Sequence, residues 1–157
     1  MLRQVSVDQW GLAPDQVMEG DALALPFADR GFDLVTAFGI LHHIKYHARA
    51  VAEMARVARK GVFISDANCY GQGGAAIRLA KRTLRGLGLW PLVNYLRTRG
   101  KGYFVSEGDG VYYSYSLIDD LPILNRRFEH VTLINPTGQS TDHFRQLPFV
   151  VAIAREA

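Results

Sequence analysis

The sequence predicts an α/β domain, and three observations predict it. Short apolar runs recur at Asp33–Phe38, Gly61–Ser65, His130–Ile134 and Phe149–Ala154. Between the first two lies a helical pattern from His47 to Arg59, with Val51, Met54, Ala55, Val57 and Ala58 on one side and Arg49, Glu53, Arg56 and Arg59 mostly outward. Strand, helix and strand in alternation is the pattern of an α/β sheet. The composition, 48% hydrophobic and 21% charged in 157 residues, is that of one folded domain and not of a disordered chain.

The remaining elements follow in order. Gln16–Glu19 reads as a short strand built on Val17 and Met18, and residues 1–15 as the remnant of a helix and its loop. Alternatively, Gln4–Asp8 mimics a strand ending in an acid. Arg59-Lys60-Gly61 reads as a helix stop: cations at the negative end of the dipole, then glycine as a left-handed cap. Ala75–Leu87 forms a helix with Ile77, Ala80, Leu84 and Leu87 in one stripe and Arg78, Lys81, Arg82 and Arg85 in another. Gly86 to Pro91 breaks it, and Leu92–Leu96 adds a turn or two. Gly100–Ser116, rich in Gly, Tyr and Ser, is a loop or hairpin. Asp119-Asp120 opens a short helix over Leu121–Leu124, since acids suit a helix N-terminus.

Charge is unevenly spread. The net charge is +3, yet no acid stands between Asp66 and Glu107, where Arg78, Lys81, Arg82, Arg85, Arg97, Arg99 and Lys101 place +7. Such a patch suits an anionic partner, including an acidic membrane surface met by the 78–85 helix; a solvated helix face explains it equally well. No specific nucleic-acid signal accompanies it. No run without charges reaches the roughly 20 residues of a membrane span, and residues 1–20 lack the pattern of a secretory signal. The single Cys69 excludes an internal disulfide, and a cytoplasmic location is expected.

The segment EGDALALPFADRGFDLVTAFGILHHI, from Glu19 to Ile44, carries a resemblance. Gly20-Asp21-Ala22, then Leu25-Pro26-Phe27, then the run Phe32–Phe38 and Leu41-His42-His43 resemble the middle of a class I S-adenosylmethionine-dependent methyltransferase, a type 11-like methyltransferase domain. The likeness continues through Val62–Ser65 and the C-terminal strand pair. It implies a Rossmann-like sheet in the order 3-2-1-4-5-7-6 with strand seven antiparallel. The whole of 1–157 is then a single partial domain, N-terminally truncated, with a closing antiparallel strand pair and a helical lid insertion at 75–116. The family's Gly-rich turn is not found before Asp21, where the only glycines are Gly11 and Gly20. Weak binding of S-adenosylmethionine is therefore expected, as is an exposed apolar edge on the Asp33–Phe38 strand that draws missing strands from a second copy or a partner.

The resemblance assigns the cofactor side residue by residue. Asp21 accepts from the adenine amino group, Ala22 offers its N–H to the ring, and Phe38-Gly39 pass the methionine part. Without the resemblance, Asp21 reads as a turn aspartate capping local amides. His42 and His43 admit three readings: a metal pair of His43 with His47, a general base, or cofactor-site architecture. The third is favoured, with His43 at the cofactor, and no metal site is expected because no acid or cysteine stands nearby in sequence. Asp66 and Asn68, at a strand end, either hold the acceptor or a loop amide, and Tyr112 and Tyr113 of the lid are candidate acceptor contacts. The lid's only acids, Glu107 and Asp109, are both eligible as a base, and the sequence selects neither, so no catalytic residue is assigned. Tyr70–Gly74 has the glycines of a phosphate-binding turn, but too far beyond its strand; a hinge under the lid fits better.

The function expected is methyl transfer to a small-molecule or lipid-like acceptor. The alternative is a non-catalytic truncated paralogue that serves as an interaction or regulatory protein.

Overall fold

The computed structural model of the chain describes residues 13, 16–66, 68–134 and 149–153. In chain order the elements are β1 (Phe32–Phe38), α1 (His47–Val57), β2 (Ala58–Ser65), α2 (Ala75–Gly86), α3 (Trp90–Arg97), β3 (Phe104–Ser106), β4 (Gly110–Tyr112), α4 (Leu121–Arg127), β5 (His130–Ile134) and β6 (Phe149–Ile153). Short 3-10 turns stand at Leu41–His43, Cys69–Gly71 and Leu117–Asp120.

Four strands form the main sheet in the order β1-β2-β6-β5. β1 and β2 are parallel, with Val35 opposite Val62, and β6 is antiparallel to both β2 and β5. This is the 4-5-7-6 half of the implied strand order, including the antiparallel seventh strand. The α1 crossover is short because β1 and β2 are adjacent. Of the predicted stripe, Val51, Met54, Ala55 and Val57 are buried in the helix, Ala50 joins them, and Ala58 already belongs to β2. Ala50, Val51, Met54 and Ala55 pack on Ala37, Val62 and Ile64 of the sheet, and Leu117, Leu124 and Phe128 close the same side.

The opposite face of the sheet is open among the described residues. Leu34 and Phe38 of β1 are 59% and 62% exposed, Ile134 of β5 is 44% exposed, and Phe63 of β2 is half-buried against the Phe38 ring. Parallel strands are ordinarily covered on both faces. One edge of β1 pairs with β2, and no described strand pairs with the other.

Two expectations need correction. Gln16–Glu19 is not a strand: Gln16 turns back on Ala13, its N–H donating to the Ala13 carbonyl and its side-chain oxygen accepting from the Ala13 N–H, and Met18 is exposed. A two-residue apolar run with no described strand beside it has no ladder to join. Arg59-Lys60-Gly61 does not cap the helix. α1 ends at Val57, Ala58 is already extended (φ −77°, ψ 133°), and Gly61 is buried in β2 opposite Leu34. Arg59 instead reaches across to the Asp33 carboxylate of β1. Of the α2 stripe, Ile77 and Leu87 are exposed and Leu84 packs against the Cys69–Tyr70–Trp90 cluster. The expectations for residues 1–12, 14 and 15 and for Ala154 lie outside the described residues.

The polar face of α1, though partly exposed, is also bonded to a loop. Arg49 donates to the Leu23 carbonyl, Arg56 to the carbonyls of Leu25 and Phe27 and to Asp29, and Glu53 accepts from the Leu25 N–H. The loop from Asp21 to Asp29 is thus strapped to the helix. The Arg56 guanidinium holds the Glu53 carboxyl below the usual carboxylate range.

At the start of α1, His47 Nδ1 lies 3.0 Å from Oδ2 of fully buried Asp120, with the Tyr115 ring edge-on. Burial lowers the His47 pKa, but the hydrogen bond and charge of Asp120, with Asp119 and Asp66 behind it, outweigh this, and the net shift is upward. A raised folded-state pKa means stability that is full below the unfolded value of about 6.5 and is lost as pH rises through the folded value. Thermal melts should therefore show a midpoint that falls from about pH 6.5 upward. Asp120→Asn should flatten this slope and cost about 2 kcal/mol at acid pH. An unchanged slope in that variant refutes the assignment.

We propose that the open β1 edge and face are covered by a second copy or by partner strands. Size-exclusion chromatography with light scattering should find the chain larger than a monomer, with Leu34→Lys shifting it toward one. A wild-type monomer that melts cooperatively rules this out.

Candidate functional site

The groups with chemical meaning gather where β1 and β2 end. β1 stops at Phe38, and Gly39 follows with φ +57°, its N–H donating to the Ser65 carbonyl at 2.8 Å. That left-handed conformation is costly for any residue with a Cβ, and the space beside the Gly39 α-carbon is open. The chain then leaves the sheet and forms the Leu41–His43 turn, anchored by Leu41 in the core.

β2 delivers Asp66, 3% exposed, behind this turn. Its Oδ2 accepts the Leu41 N–H at 2.7 Å, and its Oδ1 lies 2.6 Å from His42 Nδ1. A carboxylate oxygen accepts, so the ring proton sits on Nδ1 and Nε2 faces outward. His43 is oriented in the same way by a backbone group, its Nδ1 donating to the Val111 carbonyl at 2.6 Å. The Tyr113 N–H donates to the His42 carbonyl at 2.7 Å, so β4 lies along the turn. Between β3 and β4, the turn at Glu107–Asp109 places the Asp109 carboxylate 3.3 Å from Nε2 of both histidines.

Beside these groups opens a cleft of about 450 Å3, whose lining includes His42, Lys81, Arg97, Asp109, Tyr112 and Tyr113. A more apolar groove of about 330 Å3 between α2 and α3, lined by Ile77, Ala80, Leu84, Trp90 and Val93, shares Gln72, Lys81 and Arg97 with it. The Lys81 ammonium donates to the Cys69 and Gln72 carbonyls, and burial lowers its pKa. Arg97 stacks over Trp90 and Phe104. Burial, with the nearby Asp119 charge, pushes the Cys69 thiol up to about 12, so it is no nucleophile near neutral pH.

The structure brings some expected residues together and separates others. Tyr112 and Tyr113 line the cleft, and segment 75–116 supplies much of its wall. Phe38 and Gly39 stand exposed at the strand end. Asp21 is exposed at its turn, with Oδ1 accepting the Leu23 N–H at 2.9 Å, and Ala22 packs against the core edge. Asp66 points inward and positions the turn. Asn68 is buried, its side-chain oxygen accepting from the Tyr70 N–H and the Ser116 hydroxyl. His43 does not pair with His47, which turns to Asp120. The acid that the histidines lack in sequence is Asp109, far along the chain, which no spacing rule connects to them. The basic stripe of α2 is partly spent inside the molecule, with Arg85 on Asp119 and Arg78 on the Gly73 carbonyl.

Residues 3–65 match the family model described as "Methyltransferase domain". A stretch of 49 residues is 45% identical to the Mus musculus protein named "Probable tRNA methyltransferase 9B", covering 29% of this chain and 11% of that protein's length. Among solved structures, the YcgJ protein of Bacillus subtilis has a TM-score of 0.51 at 16% identity, over 98% of this chain and 77% of that one. A S-adenosylmethionine-dependent methyltransferase of Methanosarcina mazei has a TM-score of 0.48 at 16% identity, over 88% of this chain and 66% of that one. Residues 3–65, less than half of the chain, are thus similar to a methyltransferase domain, and the β1-β2-β6-β5 sheet of the α/β fold runs on beyond them.

Proposed function

We propose that this domain transfers a methyl group from S-adenosylmethionine to a small-molecule or lipid-like acceptor held in the cleft beneath the β3–β4 hairpin. The observation that carries the reading is the convergence of Gly39, the Leu41–His43 turn and buried Asp66 at the parallel strand ends, beside that cleft. In open α/β sheets this is where ligands bind.

The residues present fit the cofactor. Gly39 leaves open space beside a backbone that no side chain crowds, which suits the methionine end, with exposed Phe38 as a wall. Asp21 is exposed and keeps its second carboxylate oxygen for an amino group, with the Ala22 N–H next to it. When bound, S-adenosylmethionine supplies a methyl group on a sulfonium centre, and transfer depends chiefly on holding the acceptor in line with it. The chain's own part is that positioning. Asp66 fixes the turn that carries His42, the strapped 21–29 loop holds Asp21 in place, and Tyr112 and Tyr113 wall the acceptor side. The apolar α2–α3 groove that joins the cleft suits an acyl or isoprenoid-like tail, with Lys81 and Arg97 at the junction for its polar end. Segment 75–116 then serves as the lid.

Calorimetric titration with S-adenosylmethionine should give a dissociation constant above the micromolar range. Asp21→Ala should weaken it by roughly tenfold, the worth of one hydrogen bond to a charged group, without changing the melting temperature. An unaltered constant in Asp21→Ala removes that residue from the cofactor site. Transfer of a labelled methyl group to amphiphilic but not to fully polar acceptors tests the acceptor class.

The α2–α3 hairpin exposes Leu79, Leu92 and Leu96 at 66%, 57% and 66% beside the α2 cations, and among the described residues no helix is long and apolar enough to cross a membrane. Flotation with acidic vesicles should be strong at low salt, weaken as salt rises, and fall in Leu79→Asp/Leu92→Asp. Equal behaviour with neutral and acidic vesicles returns α2 to a solvated face.

A further inference from the structure

We propose that His42, His43 and Asp109 form a binding site for a divalent transition-metal cation, Zn2+ above all, at the edge of the cleft. The ligand atoms are His42 Nε2, His43 Nε2 and an Asp109 carboxylate oxygen, which lie within 4.8 Å of one another. Two imidazoles and a carboxylate with a coordination position left open is a donor set that zinc accepts in catalytic sites.

Three features distinguish this cluster from a chance ion pair. Both rings are held by their other nitrogen: His42 Nδ1 by the buried Asp66 carboxylate and His43 Nδ1 by the Val111 carbonyl, each at 2.6 Å. These are the outer partners that metal-bound histidines use, and they turn both Nε2 atoms the same way. The contacts from Nε2 to Asp109 are 3.3 Å, longer than the roughly 2.7–2.9 Å of a charge-assisted hydrogen bond. His42 Nε2 faces Oδ2 and His43 Nε2 faces Oδ1 of that carboxylate, and each separation is close to the roughly 3.4 Å between two ligands of a tetrahedral ion bound at about 2.1 Å. Finally, His42 and Asp109 line the cleft, and the Asp109 side chain is 54% exposed, so an ion has a path in.

An ion here would offer its open position to an acceptor oxygen in the cleft and favour loss of that oxygen's proton. This role rests on the methyl-transfer reading; the binding itself does not.

The test is titration of the purified full chain with Zn2+ by calorimetry, and with Co2+ by its visible ligand-field absorption. One equivalent should bind and raise the melting temperature. Asp109→Asn and His43→Ala should each weaken affinity at least tenfold, Asp66→Asn by roughly tenfold through the freed His42 ring, and His47→Ala should leave affinity unchanged. Asp109 is exposed, so its variant should fold even if His43→Ala does not, with circular dichroism as the check. No saturable binding, or binding indifferent to Asp109→Asn, overturns the site. Because the readout is metal affinity, its failure leaves S-adenosylmethionine binding as a separate question, and failure of cofactor binding leaves the metal result standing.

Discussion

A carboxylate that water hardly reaches organises the functional end of this protein. Asp66 leaves β2 where the parallel ladder with β1 stops, and its two oxygens reach the Leu41 backbone and the His42 ring. Those bonds tie the end of one strand to the turn that follows its neighbour. Removing the carboxylate would leave a buried N–H without its acceptor and a ring without its anchor. Three residues set the turn: Gly39 provides the left-handed step, Leu41 plugs the core and Asp66 bonds to the Leu41 N–H and the His42 ring. The β3–β4 hairpin is then registered on that turn through Tyr113 and His43.

A second constraint acts from α1. The helix uses its apolar side to close the core and its charged side to grip a loop, so a surface that looks merely solvated in sequence has a structural task. Arg56 alone reaches two carbonyls and two carboxylates, a fan of bonds that suits a planar guanidinium with five donors. The consequence is functional. The Asp21–Asp29 loop has no regular structure, yet its position relative to the sheet follows from the helix packed on that sheet. Asp21 at one end and Gly39 at the other are thereby referred to the same core.

The same sheet carries an unresolved demand. Burial on the α1 side is thorough, whereas Leu34, Phe38 and Ile134 face outward, and the β1 edge has backbone groups with no described strand beside them. A parallel strand with one naked edge is poor at standing alone. The apolar hairpin of α2 and α3 adds exposed surface of another kind, flanked by cations, some of which are engaged with Asp119 and backbone carbonyls. The two surfaces have different chemistry: among the described residues one is an apolar sheet face, the other an apolar helical hairpin flanked by cations.

The sequence by itself determined the strands β1, β2, β5 and β6, most of the buried stripe of α1, the loop or hairpin at Gly100–Ser116 and the resemblance of the segment from Asp21 to His43 to a methyltransferase domain. Each rests on local information: alternation, helical spacing, turn residues and a motif of fixed spacing. It misplaced the Gln16–Glu19 strand and the Gly61 cap because pairing partners decide strands, and Gly61 is taken by the ladder between Leu34 and Ile153. Only the tertiary structure decided what the polar residues do. Asp66, read as holding either the acceptor or a loop amide, takes the Leu41 amide; Asn68 caps a turn; the polar side of α1 holds a loop. The meeting of Asp109 with His42 and His43 is of the same kind. Hydrogen bonds and ion pairs act over about 3 Å in space and are blind to distance along the chain, so a cluster drawn from a strand-end turn and a hairpin tip leaves no periodic trace for a reader of residues.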